Sequence, residues 1–142
     1  MFKRVLVATD LTELSAPAVR LGATLGREDG AVVVALNVAE EPERAKHWLV
    51  PFFSEELVHL RGFMRRQEAA ALERLRDQVQ TTGADVTCLF RWGNPAEIVV
   101  AEAKARGVDL VILGTSGSPL GSVAERVVRT AECPILVVPG PK

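Results

Sequence analysis

The sequence has little cysteine and little histidine, and neither is spaced for metal binding. Its two cysteines, Cys88 and Cys133, lie far apart, one within a strand pattern and the other beside a strand. The two histidines, His47 and His59, have no cysteine near them. Isolated thiols of this kind predict reduced core side chains in a cytoplasmic protein, rather than a disulfide or a metal centre. We therefore expect no protein metal site.

The chain also lacks a charge excess, a long apolar run and a targeting signal. Its formal net charge of −1 gives no electrostatic reason to expect nucleic acid or a membrane as a partner. No apolar stretch approaches the length of a membrane span, and no signal-peptide pattern begins at Met1. These absences predict a cytoplasmic protein with no nucleic-acid partner and no membrane partner.

Familiar catalytic and nucleotide motifs are missing as well. The glycines near the C-terminus are not followed by the lysine of a Walker loop, and they do not form a G-x-G-x-x-G fingerprint. No Ser-His-Asp set is apparent. The sequence therefore predicts a binding or interaction module and not an enzyme, although weak nucleotide hydrolysis is left open.

What the chain does contain is a regular alternation of strand and helix patterns. Its 142 residues suit one domain, 1–142, and apolar residues at 48% are enough to form a core. The second strand pattern is apolar throughout, as in a central parallel strand. Strands are predicted at 2–8, 31–38, 84–91, 109–113 and 135–138, and helices at 13–27, 55–80 and 95–107, with a last helix after 121. This alternation predicts an α/β fold with a mainly parallel sheet and helices on both faces.

A glycine-rich loop, residues 114–122 (GTSGSPLGS), joins the fourth strand to the last helix. A strand, a glycine loop and a helix N-terminus bring unpaired N–H groups and a positive helix end to one point, which suits a phosphate. Gly114 and Gly117 would permit positive φ and the close approach of a ligand. The same residues also fit a tight turn whose serines cap the helix that begins near Val123. Both interpretations stay open at this stage.

The first strand ends in a polar pair, Thr9 and Asp10. Asp10 stands three residues before Glu13, which is capping-box spacing, so Asp10 is one candidate for the cap of the first helix and Thr12 is the other. The carboxyl ends of strands in open α/β sheets also form the crevice where ligands bind. Asp10 is therefore predicted to be a helix cap, a ligand contact, or both.

Residues 40–54 (EEPERAKHWLVPFFS) are the least regular part of the chain. The acidic residues and Pro42 indicate a loop, but the apolar stretch at 47–53 is unlike a free loop. We expect it to pack over the edge of the sheet, over the ligand crevice as an aromatic lid, or against a partner subunit. His47 is either a ligand contact or a solvated side chain.

Taken together, these motifs resemble the universal stress proteins over nearly the whole chain. Gly114-x2-Gly117 matches the start of the G-x2-G-x9-G-[ST] motif of the nucleotide-binding members, and Gly121-Ser122-Val123 resembles the segment that opens their last helix. The run from Cys133 to Val138 resembles their final strand. Gly93-Asn94-Pro95 resembles the Gly-x-Pro that precedes their third helix.

The resemblance implies a Rossmann-like sheet of order 3-2-1-4-5, in which the first and fourth strands flank a ligand crevice. It places adenine near Val38, which is otherwise an ordinary strand-end valine, ribose near Asp10, and phosphates at the glycine loop. Arg126 and Arg129 would either reach a phosphate or lie on a solvated helix face. The implied nucleotide-binding residues are Ala8, Thr9, Asp10, Val38, Leu113, Gly114, Ser116, Gly117, Gly121, Ser122 and Val123.

Two functions follow from the resemblance. One is a small regulatory module that binds an adenine nucleotide, with ATP, accompanied by Mg²⁺, ahead of an AMP-like mononucleotide. The other is a dimeric interaction module that binds no nucleotide, because only three residues separate Gly117 from Gly121 and Ala124 replaces a hydroxyl found in many nucleotide binders. In both, the last strand would be an apolar sheet edge that pairs with its copy in a homodimer. The residues expected in this contact are Ile135, Leu136, Val137 and Val138.

Overall fold

The fold is organised around a five-stranded sheet in which every neighbouring pair of strands is parallel. A computed structural model describes residues 1–42, 55–115 and 120–141. The strand order, β3-β2-β1-β4-β5, confirms the expected topology. The strands are β1 (Arg4–Ala8), β2 (Val32–Ala39), β3 (Val86–Trp92), β4 (Leu110–Thr115) and β5 (Ile135–Pro139). The sequence pattern placed each strand to within about two residues, the usual uncertainty of element ends.

Helices cover both faces of this sheet. They are α1 (Ala16–Asp29), which a 3₁₀ turn at Glu13–Ser15 precedes, α2 (Glu55–Gln80), α3 (Pro95–Ala105) and α4 (Ser122–Thr130). Successive side chains of a strand point to opposite faces, so Val5 and Val7 of β1 pack with α1 and α2, whereas Leu6 packs with α3 and α4. The core therefore has two layers with β1 at the centre of both.

The start of α3 follows the capping rule that the sequence predicted. The Asn94 side chain accepts a hydrogen bond from the Glu97 N–H at 3.1 Å, and Pro95 occupies the first turn. The apolar pattern of the sequence predicts that Leu14, Ala18, Leu21 and Leu25 share one face of α1. Ala18 is buried, and Leu21 and Leu25 are partly buried against the core, but Leu14 lies in the 3₁₀ turn with 39% of its surface exposed. The helix also buries Val19, Gly22 and Ala23.

The packing of α1 explains why small residues lie at the centre of its buried face. A Cβ atom added at Gly22 would collide with Cγ2 of Val7 in β1. The helix backbone therefore lies directly on the strand, and a large side chain on this face would push the two apart. This close packing fixes the beginning of α1, and with it the loop after β1.

Long-range contacts hold β1 beside β4. The Asp109 carboxylate accepts hydrogen bonds from the Lys3 N–H at 2.9 Å and the Arg4 N–H at 3.0 Å, and Arg4 and Asp109 are 105 positions apart in the sequence. At the other end of the two strands, Ala8 is in register with Leu113. The loops that leave β1 and β4 therefore begin side by side.

Both cysteines are free and half-buried, Cys88 within β3 and Cys133 just before β5. Burial raises the pKa of each thiol above its usual value. Within residues 1–42, 55–115 and 120–141, no group of three potential metal ligands comes together. No helix in that part of the chain combines the length and apolar character needed to cross a membrane.

Candidate functional site

The carboxyl ends of β1 and β4 border a cavity of about 240 Å³, called the crevice from here on. Apolar side chains from β2, α3, β4 and α4 form most of its wall, and the polar groups come from the loop after β1. The lining residues are Ala8, Thr9, Asp10, Ser15, Leu36, Val38, Pro95, Val99, Leu113, Gly114, Val123 and Ala124. A mostly apolar pocket with a few convergent polar groups is typical of a small-molecule site.

The crevice gathers many of the residues that the sequence singled out. Those that line it are Ala8, Thr9, Asp10, Val38, Leu113, Gly114 and Val123. Gly121 and Ser122 are the N-cap and the first residue of α4, next to the lining residue Val123. Ser116 and Gly117 lie outside the described residues, and so does the apolar stretch at 47–53.

Asp10 is held by a compact set of hydrogen bonds at the start of the 3₁₀ turn. Its Oδ1 accepts from the Thr12 N–H at 2.8 Å, the Thr12 hydroxyl at 2.6 Å and the Ser15 hydroxyl at 2.7 Å. Thr12, not Asp10, is the cap, because its hydroxyl accepts from the Leu14 N–H. Asp10 therefore orients the capping residue, and among the described residues no partner is hydrogen-bonded to its Oδ2.

The surroundings of Asp10 favour its ionised form. Partial burial alone would raise the pKa of this carboxyl, but the hydrogen bonds from Thr12 and Ser15 stabilise the carboxylate and outweigh that effect. The net result is a pKa below the usual value. Asp10 thus presents a negative charge to the crevice at neutral pH.

A second network of hydrogen bonds, which no sequence pattern predicted, holds Thr9 in place. The Thr9 hydroxyl donates to Oε1 of Gln78 in α2 at 2.8 Å, and the buried Asn37 side chain donates to the Thr9 carbonyl at 2.9 Å. Leu11, two positions on, adopts a positive φ of 69°, which is uncommon for a non-glycine residue. Asn37 was detectable in principle, since it is the only polar residue in an otherwise apolar strand.

Gly114 serves the fold in a way that differs from the prediction. Its φ is not positive, since it is absent from the positive-φ residues of the described chain. A Cβ at this position would lie 3.0 Å from both the Leu14 carbonyl oxygen and Cα of Ser15. The missing side chain therefore makes room for the 3₁₀ turn to approach β4.

Gly121 has no comparable structural requirement. Its φ of −65° and ψ of 159° suit any residue, and a Cβ there would meet nothing within 4 Å. Gly121 is the N-cap of α4 and provides no side-chain cap. Ser122, one of the serines that the tight-turn interpretation had as caps, is not the N-cap, because it is already the first helical residue. Among the described residues, no side chain therefore caps the N–H groups of the first turn of α4 beside the crevice.

The arginines of α4 are engaged in ion pairs. Arg126 binds Glu97 of α3 at 2.8 Å, and Arg129 binds Glu125 at 2.6 Å on an exposed helix surface. Neither side chain lines the crevice. Both arginines therefore lie on a solvated helix face, which was one of the two expectations for them.

Comparison with known proteins identifies relatives along the whole chain. The profile of the Universal stress protein family matches residues 1–139. A universal stress protein of Methanocaldococcus jannaschii is 29% identical over 154 residues, which cover 100% of this chain and 85% of the relative. A universal stress protein of Thermus aquaticus is 30% identical over 145 residues, covering 97% of this chain and 99% of the relative.

Solved structures share the fold. UspA from Lactobacillus plantarum superposes with a TM-score of 0.74 and 24% identity, covering 96% of this chain and 97% of its own. A universal stress protein in complex with cAMP has a TM-score of 0.71, 21% identity and coverage of 99% and 98%. The Archaeoglobus fulgidus protein in complex with dAMP has a TM-score of 0.62, 18% identity and coverage of 95% and 96%. With a family profile that matches almost every residue and this sheet topology, the chain belongs to the universal stress protein family.

Proposed function

We propose that this chain is a non-enzymatic regulatory module of the cytoplasm that binds an adenine nucleotide in the crevice. The observation that carries the proposal is the convergence of three features from distant parts of the sequence. These are the ionised carboxylate of Asp10, an apolar slot between β2, α3 and β4, and the N-terminus of α4, which no side chain of the described residues caps. Each suits a different part of a nucleotide.

The parts of the ligand are assigned by their chemistry. The adenine ring occupies the slot formed by apolar side chains, with Val38 and Val99 on its walls. The ribose hydroxyls donate to Oδ2 of Asp10, which has no partner among the described residues, because an ionised carboxylate has acceptor capacity beyond the three bonds that Oδ1 makes. A phosphate accepts from the N–H groups of Ser122 and Val123, where the positive end of the helix dipole favours an anion.

ATP is the nucleotide that the family resemblance favours, and the cAMP and dAMP complexes of two structural neighbours support an adenine ligand more broadly. Any Mg²⁺ would be held mainly by the nucleotide's phosphates. Asp10 is the single carboxylate among the described residues that line the crevice, and one carboxylate does not form a metal cage.

The deciding experiment compares Gly121→Asp with Gly121→Asn. Both side chains are good N-caps and meet open space, so both variants should be as stable as the natural chain or slightly more stable. Only aspartate adds a negative charge where the phosphate binds. We expect Gly121→Asp to weaken AMP and ATP binding by roughly tenfold or more relative to Gly121→Asn, because like charges repel strongly at close range.

Isothermal titration calorimetry measures these affinities, and adenosine is the matched ligand control, since it has no phosphate. Adenosine should bind the two variants about equally. Equal loss of AMP and adenosine in Gly121→Asp would contradict the assignment of phosphate to α4. Mass spectrometry of freshly purified natural chain, native and then denatured, would reveal any nucleotide carried through purification.

The second candidate function is a dimeric interaction module that binds no nucleotide. The role of Gly114 in packing the 3₁₀ turn supports it, since that glycine is explained without a ligand. A natural chain that purifies as a nucleotide-free dimer, and whose melting temperature does not change with millimolar Mg-ATP or AMP, would favour this alternative. The proposed homodimer through β5 is common to both functions.

A further inference from the structure

We infer that Gln78, near the end of α2, is a positioning residue for the crevice, because it holds the loop that carries Asp10. This inference rests on the proposed function and extends it to a residue that is not one of the described residues lining the crevice. It is carried by the hydrogen bonds that Gln78 makes on either side of Asp10.

The Gln78 side chain is bonded to the loop after β1, residues 9–15, at two points. Its Oε1 accepts from the Thr9 hydroxyl at 2.8 Å, and its Nε2 donates to the Thr12 carbonyl at 3.3 Å. Asp10 and Leu11 lie between these two points. Among the described residues, no other side chain from outside the loop is hydrogen-bonded on both sides of Asp10.

The orientation of the Gln78 amide follows from the hydrogen-bonding capacity of Thr9. The Thr9 hydroxyl accepts from the Leu11 N–H at 3.0 Å and donates its one proton to the Gln78 oxygen. The amide nitrogen of Gln78 is thereby left to face the Thr12 carbonyl. A side chain that lacks either the oxygen or the nitrogen could not make both contacts.

Gln78 projects from a part of α2 that is fixed in the core. Its helical neighbours Leu75 and Val79 are buried, with 0% and 5% of their surfaces exposed. Thr9 is buried as well, so the contact between Gln78 and Thr9 joins two elements that packing already holds. The last turns of α2 therefore support the loop as a rigid element.

The backbone of the loop needs this support at Leu11. Its φ of 69° lies in the left-handed region, which a bulky residue adopts where the surrounding contacts hold it there. The next residue, Thr12, donates to Oδ1 of Asp10 from its hydroxyl at 2.6 Å and its N–H at 2.8 Å. Loss of the Gln78 contacts would release Thr12 and, with it, the carboxylate of Asp10.

The first test is a double-mutant cycle between Gln78 and Asp10, which share no hydrogen bond. Gln78→Met removes both polar atoms and preserves charge and helix propensity. Urea unfolding at pH 7 measures the cost of Asp10→Asn in the natural chain and in Gln78→Met. We expect this cost to fall to about half or less in Gln78→Met, because members of one hydrogen-bond network are not additive.

Two further variants sharpen the cycle. Gln67→Met is the matched control, since Gln67 is exposed on the same helix and has no hydrogen-bonding partner among the described residues. It should leave the cost of Asp10→Asn unchanged. Gln78→Asn keeps the amide but is one methylene shorter, so it should reduce the cost of Asp10→Asn as Gln78→Met does.

The second test measures binding by calorimetry with adenosine and with dideoxyadenosine, which lacks both ribose hydroxyls. The natural chain should bind adenosine roughly three- to tenfold more tightly, as expected for hydrogen bonds from the ribose to Asp10. In Gln78→Met the two affinities should come within about twofold of each other, mainly through weaker adenosine binding. Gln67→Met should keep the natural ratio.

Two results would overturn the inference. An equal cost of Asp10→Asn in the natural chain and in Gln78→Met would show that Gln78 does not act on Asp10. An equal loss of both nucleosides in Gln78→Met would mean that Gln78 shapes the whole crevice and does not position the ribose contact. If the natural chain bound neither nucleoside, the proposed function would fail for adenosine, and the stability cycle alone would decide whether Gln78 positions Asp10.

Discussion

The Asp10 carboxylate is a single group that links the geometry of the crevice to the stability of the loop after β1. The hydrogen bonds that lower its pKa also hold Thr12 and Ser15 in place. Because binding of a proton would weaken these bonds, the stability that they contribute depends on pH. The direction of that dependence follows from the lowered pKa.

We predict that Asp10→Asn destabilises the chain at pH 7 but not in acid. A carboxyl whose pKa is lower in the folded state stabilises the fold above its unfolded pKa, near 3.8, and loses this contribution as the pH falls through the folded value. Since Asp10 is largely exposed, solvent screening limits the effect to about 1 kcal/mol at pH 7. Urea unfolding at pH 7 and pH 3 measures it.

The matched control is Asp29→Asn at the end of α1. The Asp29 carboxylate is exposed and has no hydrogen-bonding partner among the described residues. Replacing Asp29 should cause no comparable difference in the free energy of unfolding between pH 7 and pH 3. If Asp10→Asn lowered the free energy of unfolding equally at both pH values, the side-chain shape of Asp10, and not its charge, would hold the loop.

At the scale of helices, two glycines with different surroundings should respond in opposite ways to alanine. A Cβ at Gly22 of α1 collides with the buried Val7, so Gly22→Ala should lower the free energy of unfolding by about 1–3 kcal/mol through overpacking. A Cβ at Gly62 of α2 meets only the end of the Arg66 side chain at 3.3 Å. Gly62→Ala should raise stability by about 0.5–1 kcal/mol, as expected for a helical glycine.

Thermal and urea unfolding of the two single variants check this pair, since each is the control for the other. A Gly22→Ala variant as stable as the natural chain would indicate that α1 can move away from β1 without loss. Such freedom would be incompatible with α1 fixing the loop after β1.

The elements that local rules specify were predictable from the sequence. The span of α2 matches because its apolar pattern is long and regular, and α3 begins as predicted because Asn94 and Pro95 are local start signals. The buried face of α1 was predicted only in part, since Leu21 and Leu25 pack against the core but Leu14 is exposed. Contact with β1 adds the small residues Gly22 and Ala23, which a hydrophobic pattern does not emphasise.

The candidate site was predictable only in outline, for the same reason. Topology brings Asp10 and Gly114 together, and the strand order that does so was implied by the resemblance to the universal stress proteins, whereas the alternation of strands and helices indicated only a mainly parallel sheet. The role of Gly114 depends on the approach of the 3₁₀ turn, and the contact between Thr9 and Gln78 joins residues 69 positions apart. Such contacts have no signature in the local sequence.

At the scale of the whole molecule, β5 is the strand at which we propose that two copies meet. It forms one edge of the sheet, and 40% of the Leu136 surface is exposed there. An exposed apolar edge strand is suited to pairing with a second chain. We predict that Leu136→Lys converts a dimer into a monomer, because it places a charge in the middle of that contact.

Sedimentation velocity measures the assembly state. Val128→Lys is the matched control, since Val128 is 48% exposed on α4 and lies outside the proposed contact. It should remain dimeric. If both variants, or neither, dissociate, the dimer is not formed through β5.

The pairing of β1 with β4 also determines when the crevice can exist during synthesis. Ribosomes make β1 first, but its neighbour β4 and the helix α4 follow only after β2, β3 and the helices α1, α2 and α3. A nascent chain therefore cannot complete the crevice until β4 and the first turn of α4 have emerged, and closing so long a loop is a slow step in folding. Nucleotide added during translation would stabilise only chains in which these two elements have already formed.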